Sequence, residues 1–252
     1  MKATNPWIIL AIIWAITTAI GEGLALSVGI FPSPASKEAH VIDSAMTLLT
    51  VLAVPVFTMV VVLLGYSMLA FRQRGEPTED GPPIQGNLKL EVVWVLATVV
   101  LVLFLAGYGA VGYIDVVLVH SSAHAAQGDG VLVVQAQGSQ WFWEFYYPAQ
   151  NIRTKDELRL PLGRTVRFEV TSNDVLHSFW VPAFRTKIDA VPGLVTTVFA
   201  TPDKTGAFQE DYHLRVQCAE LCGLGHAGMA TPVVVVDPAQ FDAWVAQQAR
   251  GR

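Results

Sequence analysis

Apolar positions crowd into the first 113 residues, and their spacing changes once along the chain. Residues 44–71 and 92–113 are nearly unbroken apolar runs, TLLTVLAVPVFTMVVVLLGYSMLAF at the heart of the first and VVWVLATVVLVLFLAGYGAVGY in the second. Each exceeds the roughly 20 residues a helix needs to cross a bilayer, so both predict transmembrane helices. Pro55 lies inside the first, and its missing N–H predicts a kink that a packed membrane helix tolerates. An earlier run, residues 7–20, reads two ways. It suits a signal-peptide core, with Lys2 as the basic flank and Ala25-Leu26-Ser27 as the cleavage site. Extended to Ile30, it suits a third span interrupted by Glu22.

From Gly130 onward the period becomes two. Residues 165–170 and 211–218 alternate apolar and polar, the second placing Tyr212, Leu214, Val216 and Cys218 on one face. Further strand-like runs fall at 131–135, 194–200 and 232–236, separated by Gly, Pro and Asn/Asp turn signals. Short strands without long helices between them predict a β-sandwich or barrel. Residues 238–250 predict a closing helix, with Asp237 as N-cap, Pro238 at the first position, and Phe241, Trp244 and Val245 on one face. The fold class is therefore membrane α plus all-β. Three regions follow: 1–39, signal peptide or extra transmembrane helix; 40–113, a two-helix hairpin with a loop at 72–90; and 114–252, a β domain ending in a helix.

Charge refines this division. From Asp115 on, the chain holds 14 of its 21 acidic and 11 of its 16 basic residues. Arg72, Arg74 and Lys89 flank the connector between the clear spans, whose RGEPTEDGPP stretch has the composition of an exposed loop. The positive-inside rule makes that connector cytoplasmic and puts the β domain on the periplasmic or extracytoplasmic side of a bacterial cell membrane. The mild acidity of the β half is compatible with a basic protein partner. The sequence contains no C-x-x-C-H haem motif, phosphate loop, dinucleotide fingerprint or basic patch suited to nucleic acid.

The candidate chemistry sits in one stretch, Cys218-Ala219-Glu220-Leu221-Cys222-Gly223-Leu224-Gly225-His226-Ala227-Gly228-Met229. It holds both cysteines of the protein together with an imidazole and a thioether. Three readings are open: a disulfide, a structural zinc site, or copper. A disulfide has no use for the histidine and methionine, zinc rarely takes a thioether, and the full set of soft ligands favours copper.

The pattern C-x-E-x-C-x3-H-x2-M resembles the binuclear copper A loop of cytochrome c oxidase subunit II. Asp174-Val175-Leu176-His177-Ser178 likewise resembles that family's D-V-x-H-S motif. The resemblance implies a cupredoxin-like Greek-key barrel in which Cys218 and Cys222 bridge two copper ions. It makes His177 and His226 terminal ligands, with Met229 and the backbone carbonyl of Glu220 as weak axial ligands. Gly138-Ser139-Gln140-Trp141-Phe142-Trp143 is similar to the family's G-x-Q-W-x-W, which implies that Trp141 receives the electron from cytochrome c. The alternating Trp143, Phe145 and Tyr147 read instead as barrel core.

Glu91-Val92-Val93-Trp94 resembles the family's E-x-x-W, implying that Glu91 stands at the mouth of a proton-uptake path; without the resemblance it reads as a solvated acid at a helix start. Lys187-Ile188-Asp189-Ala190-Val191-Pro192-Gly193 resembles a segment facing the catalytic subunit, and the Glu220 carboxylate becomes a candidate ligand for magnesium shared with that subunit. The implied partners are the haem-copper catalytic subunit I, a subunit III, cytochrome c and the membrane. Neither clear span contains a histidine, so haem belongs to another chain. His40, His120, His124 and His213 match no ligand position. Other readings are the electron-transfer subunit of a copper A nitric oxide reductase and a membrane-tethered copper-delivery protein.

Overall fold

The computed structural model describes residues 5–29, 31–72, 75, 83, 85–114 and 130–250. Lys2, Arg74, His120, His124 and most of the 74–83 connector lie outside the described residues. Two compact units result: one of residues Met1–Ile30 and Ser44–Val111, the other of Phe31–Asp43 and Gly112–Arg252.

In the first unit, helices α1 (Pro6–Ser27), α2 (Lys37–Ala70) and α3 (Leu88–Tyr113) are each long and apolar enough to cross a membrane. Asn5 caps α1 by accepting from the Trp7 N–H, and Pro6 takes the first helical position, where no N–H is needed. The helix α2 is continuous through Pro55. The Pro55 carbonyl accepts from Trp14 Nε1 of α1 at 2.9 Å, and the Thr18 and Thr58 hydroxyls meet at 2.6 Å. Gly21 lets the helices approach, since a Cβ there would stand 3.0 Å from Val54. In a medium without water these polar pairings hold one helix against the other.

The helix α2 begins seven residues before the apolar run, and this first stretch belongs to the β unit. Ser36 caps it, accepting from the Ala39 N–H at 3.1 Å. The buried Glu38 carboxylate accepts from the Thr201 N–H at 2.8 Å. Asp43 makes a two-point ion pair with Arg185 at 2.7 and 2.8 Å, and Arg185 also donates to the carbonyls of Pro182 and Pro32.

The β unit contains β1 (Leu132–Ser139), β2 (Phe142–Tyr147), β3 (Ile152–Thr154), β4 (Leu158–Pro161), β5 (Val166–Ser172), β6 (His177–Val181), β7 (Thr186–Ala190), β8 (Thr196–Ala200), β9 (Gly206–Ala207), β10 (Arg215–Cys218) and β11 (Ala230–Val236). One sheet runs β3-β2-β1-β5-β8 and the other β4-β11-β10-β6-β7, with β9 beside β11. Pairings are antiparallel except β1 with β5 and β4 with β11. Alternation decides what faces inward: every second residue of β1, β2 and β5 is buried. Trp143, Phe145, Tyr147, Phe168 and Phe179 fill the space between the sheets, as their spacing predicts, and Trp143 meets Phe179 edge-on at 5.8 Å. The Tyr147 hydroxyl donates to the Arg159 carbonyl and accepts from the Arg159 N–H. The final helix, α4 (Pro238–Arg250), covers this end with Phe241 and Trp244.

One expected face is corrected. Tyr212 is exposed and outside β10, because Asp211 accepts from the His213 N–H and turns the chain before the strand starts. Leu214, Val216 and Cys218 remain inside.

Candidate metal centre

The two segments that the sequence singles out meet at one pole of the β unit. His177 opens β6, and β6 pairs with β10 so that Cys218 lies opposite Phe179. The loop after Cys218 returns into β11, and its neck is closed by the Cys218 N–H donating to the Met229 carbonyl at 3.0 Å. Within the loop, Gly223 has φ +111°, a conformation that favours glycine, and a short 3-10 turn at His226–Gly228 swings His226 back toward the sulfurs.

The donor atoms form a continuous cluster. His177 Nδ1 lies 3.8 Å from Cys218 Sγ, the two sulfurs are 3.7 Å apart, and Cys222 Sγ lies 3.6 Å from His226 Nδ1 and 3.8 Å from Met229 Sδ. The Glu220 carbonyl stands 3.1 Å from Cys218 Sγ. His177, Cys218, Cys222 and Met229 are buried, while His226 is half-buried.

This donor set can be tested against the three open readings. A disulfide places its sulfurs about 2.05 Å apart, and here both thiols are free. Zinc is satisfied by four donors, whereas six converge here, a thioether and a carbonyl oxygen among them. Two thiols, two imidazole Nδ1 atoms and a thioether fit a soft metal, and copper above all. Burial, reinforced by the neighbouring Cys218 sulfur, pushes the Cys222 thiol up to about 11. A metal bound there at neutral pH would displace the Cys222 thiol proton.

The residues around the donors fix their orientation. The Asp174 carboxylate holds His177 Nε2 at 2.8 Å, leaving Nδ1 to face the sulfurs. Burial alone would raise the Asp174 pKa, but hydrogen bonds from the Gln140 N–H, the His177 ring and the Val175 N–H outweigh it and bring the value down to about 2. The anion is thus present at any ordinary pH. Gly138 leaves room for the His177 ring, since a Cβ there would come within 3.0 Å of it, and Trp143 packs edge-on against the same ring at 6.1 Å.

Trp141 lies on the outside of this pole, 42% exposed. Its indole N–H donates to the Cys222 carbonyl at 3.1 Å, and the Gln140 amide donates to the same oxygen at 2.7 Å. The ring lies directly on Gly225, where a Cβ would fall 2.4 Å from Trp141 Cδ2. Sequence reasoning quoted Asp174 and Gln140 inside motifs without giving them work, and gave Gly225 only that of a tight turn between ligands. The signal for Asp174 was its place three residues before a candidate ligand, whereas Gln140 and Gly225 gave none, because their contacts cross some 80 residues of chain.

The other singled-out residues stand apart from the cluster. The carboxylate of Glu91 accepts from the Asn87 N–H at 3.0 Å while the Asn87 side chain accepts from the Leu90 N–H, so the pair caps α3. Lys187 and Asp189 lie 3.9 Å apart on β7. His40 bonds Asp203 at 2.9 Å.

Apolar helices followed by a two-sheet domain with soft ligands at one pole define a membrane-attached, cupredoxin-like class of protein. Residues 148–237 match the family model for the periplasmic domain of cytochrome c oxidase subunit II, and residues 23–109 match the model for its transmembrane domain. The chain belongs to the cytochrome c oxidase subunit II family, whose members are subunits of haem-copper oxidoreductases. It is 29% identical to cytochrome c oxidase subunit 2 of Synechocystis sp., across 96% of this chain and 82% of that one. It is 30% identical to the same subunit of Thermostichus vulcanus, across 93% and 84%. Among solved structures, the periplasmic domain of subunit II of cytochrome oxidase from Bradyrhizobium japonicum is 32% identical, covers 48% of this chain and 94% of its own, and gives a TM-score of 0.44.

Proposed function

We propose that this chain is the electron-accepting subunit of a cytochrome c oxidase. It takes electrons from cytochrome c and passes them toward haem in catalytic subunit I, where oxygen is reduced to water with proton pumping. Cys218, Cys222, His177, His226, Met229 and the Glu220 carbonyl would hold a binuclear copper A centre, which supplies one-electron redox chemistry when bound. The observation that carries the reading is the approach of His177 Nδ1 to Cys218 Sγ, 3.8 Å apart although 41 residues separate them in the chain.

The protein's own groups do the rest. Strands β6, β10 and β11 fix the ligand frame, so little has to rearrange when the charge on the centre changes. Asp174 keeps His177 in one tautomer and one ring orientation. Trp141 offers a π-surface to the donor, and its N–H bond to the Cys222 carbonyl joins that surface to the backbone of a ligand. The buried ligands also count against a metal-delivery role, which needs accessible, exchanging donors.

In this reading the connector between α2 and α3 is cytoplasmic and the β unit extracytoplasmic, in a bacterial cell membrane, with subunit III as a further neighbour. Glu91 would then stand at the cytoplasmic mouth of a proton path, and the Glu220 carboxylate would serve a magnesium ion shared with subunit I. Absorption and EPR spectra of the purified protein test the core of the proposal. A purple chromophore with a delocalised two-copper signal is expected; a one-copper spectrum, or zinc in the protein, overturns it.

A further inference from the structure

Removal of the first apolar run as a signal peptide and its retention as a span both require an apolar helix. Only retention requires one face of that helix to fit the rest of the chain. Leu10, Trp14, Thr18 and Gly21 recur at helical spacing on one side of α1, and Leu10 is the buried residue of the helix. The Trp14 indole, near the middle of α1, donates to the Pro55 carbonyl of α2 at 2.9 Å, and the Thr18 hydroxyl meets that of Thr58 at 2.6 Å. At Gly21 an added Cβ would stand 3.0 Å from Val54, so the backbone itself lies against α2. At the other end, Trp7 and Leu10 share a cavity of about 190 Å³ with Leu63, Tyr66 and Phe71. The first turns of α1 thus face the last turns of α2, and the two helices are antiparallel neighbours.

We infer that α1 remains in the mature protein as a third membrane span, docked on α2 through this face. A signal-peptide core is about 7–15 apolar residues long, and its side chains need no partner in the exported chain. The helix α1 runs 22 residues, which at 1.5 Å per residue is about 33 Å, enough to cross a hydrocarbon layer of roughly 30 Å. It stays helical through Ala25-Leu26-Ser27, where the Ser27 hydroxyl and the Val28 N–H both donate to the Leu24 carbonyl, so the candidate cleavage site is wound into the last turn. In hydrocarbon an indole N–H without an acceptor is costly, and the Pro55 carbonyl removes that cost for Trp14. The match to the family's transmembrane domain begins at Gly23 and takes in only the last turn of α1, so the docked helix is an addition to the two-helix hairpin. None of this depends on the metal that the β unit holds.

The test uses the full-length protein, expressed with its own N-terminus and purified from the membrane. Its intact mass is expected to be the full 27.3 kDa, less at most the initiator methionine, whereas a mass about 3 kDa lower, with an N-terminus near Val28, overturns the inference. Docking is read separately, by inserting a protease site after Gly29 and cutting the purified protein in mild detergent. The α1 fragment is expected to stay with the rest of the chain through gel filtration. Gly21→Ile, which drives a branched side chain into Val54, is expected to weaken that association about tenfold. A fragment that separates without the substitution, or one held equally well with Gly21→Ile, overturns the docked arrangement.

Discussion

Gly225→Ala places one methyl group under the Trp141 indole, and its effect can be worked from the geometry. The new Cβ would lie 2.4 Å from Cδ2, 2.5 Å from Cγ and 2.7 Å from Cε3. Carbon atoms rest at about 3.5–4.0 Å, so the rigid ring must retreat by roughly 1 Å or more. Overpacking of this kind costs the native ring position about 1–3 kcal/mol, whereas the displaced ring gives up the bond to the Cys222 carbonyl, about 1 kcal/mol. The difference, up to about 2 kcal/mol, takes the native ring position down toward a few per cent. If electrons arrive through that ring, the second-order rate of reduction by cytochrome c falls about tenfold or more. The metal ligands are untouched, so the copper spectrum persists. Gly228→Ala is the control: it closes the 3-10 turn that Gly225 caps, and nothing stands within 4 Å of its added Cβ. Stopped-flow reduction of both variants, with Trp141→Ala beside them, decides the matter. Full-rate reduction of Gly225→Ala or Trp141→Ala, with copper bound, would refute the reasoning.

Asp174→Asn removes the anion that orients His177, and copper affinity is expected to fall about 10- to 100-fold, read by competition with a chelator of known affinity. His226→Gly is expected to regain its copper spectrum on addition of imidazole, because His226 is partly open to solvent; His177→Gly is not, because His177 is buried, and equal rescue of both would contradict that difference. Asp43→Asn breaks a two-point pair with Arg185, whose side chain is only 10% exposed. A loss of about 2 kcal/mol, between surface and buried ion pairs, is expected from denaturant unfolding of the β unit followed by near-UV circular dichroism.

Much of this architecture was legible because its signals are local or rare. A strand announces itself by alternation, which is why Trp143, Phe145 and Tyr147 could be assigned to the core. Cys218, Cys222, His226 and Met229 are recognisable because soft ligands at such spacing serve few other purposes. What escaped is set by contacts between distant residues. Asp43 and Arg185 are 142 positions apart, and nothing near Asp43 announces a partner. Residues 37–39 therefore read as part of a signal peptide or extra span and 40–43 as part of the membrane hairpin, whereas Phe31–Asp43 belong to the β unit and Glu38 and Ala39 are buried. Tyr212 failed for the opposite reason: alternation continued past the strand, and a single Asp211 side chain ended the pairing.

The same division runs through the metal site itself. The candidate ligands are written in the motif, but their orientation depends on Gly138, Gln140 and Asp174, which come from the end of β1, the turn after it and the approach to β6. Gln140 is the residue on which these supports converge. Its N–H donates to Asp174 and its side-chain amide donates to the Cys222 carbonyl, so one residue ties the histidine's anchor to the cysteine loop. Trp141 follows it directly in the chain and shares the same carbonyl acceptor. The exposed indole and the groups that orient the candidate ligands are thus parts of one short turn. A displacement of that turn would alter both the Trp141 surface and the tilt of His177, which is a physical reason for the two to be carried together.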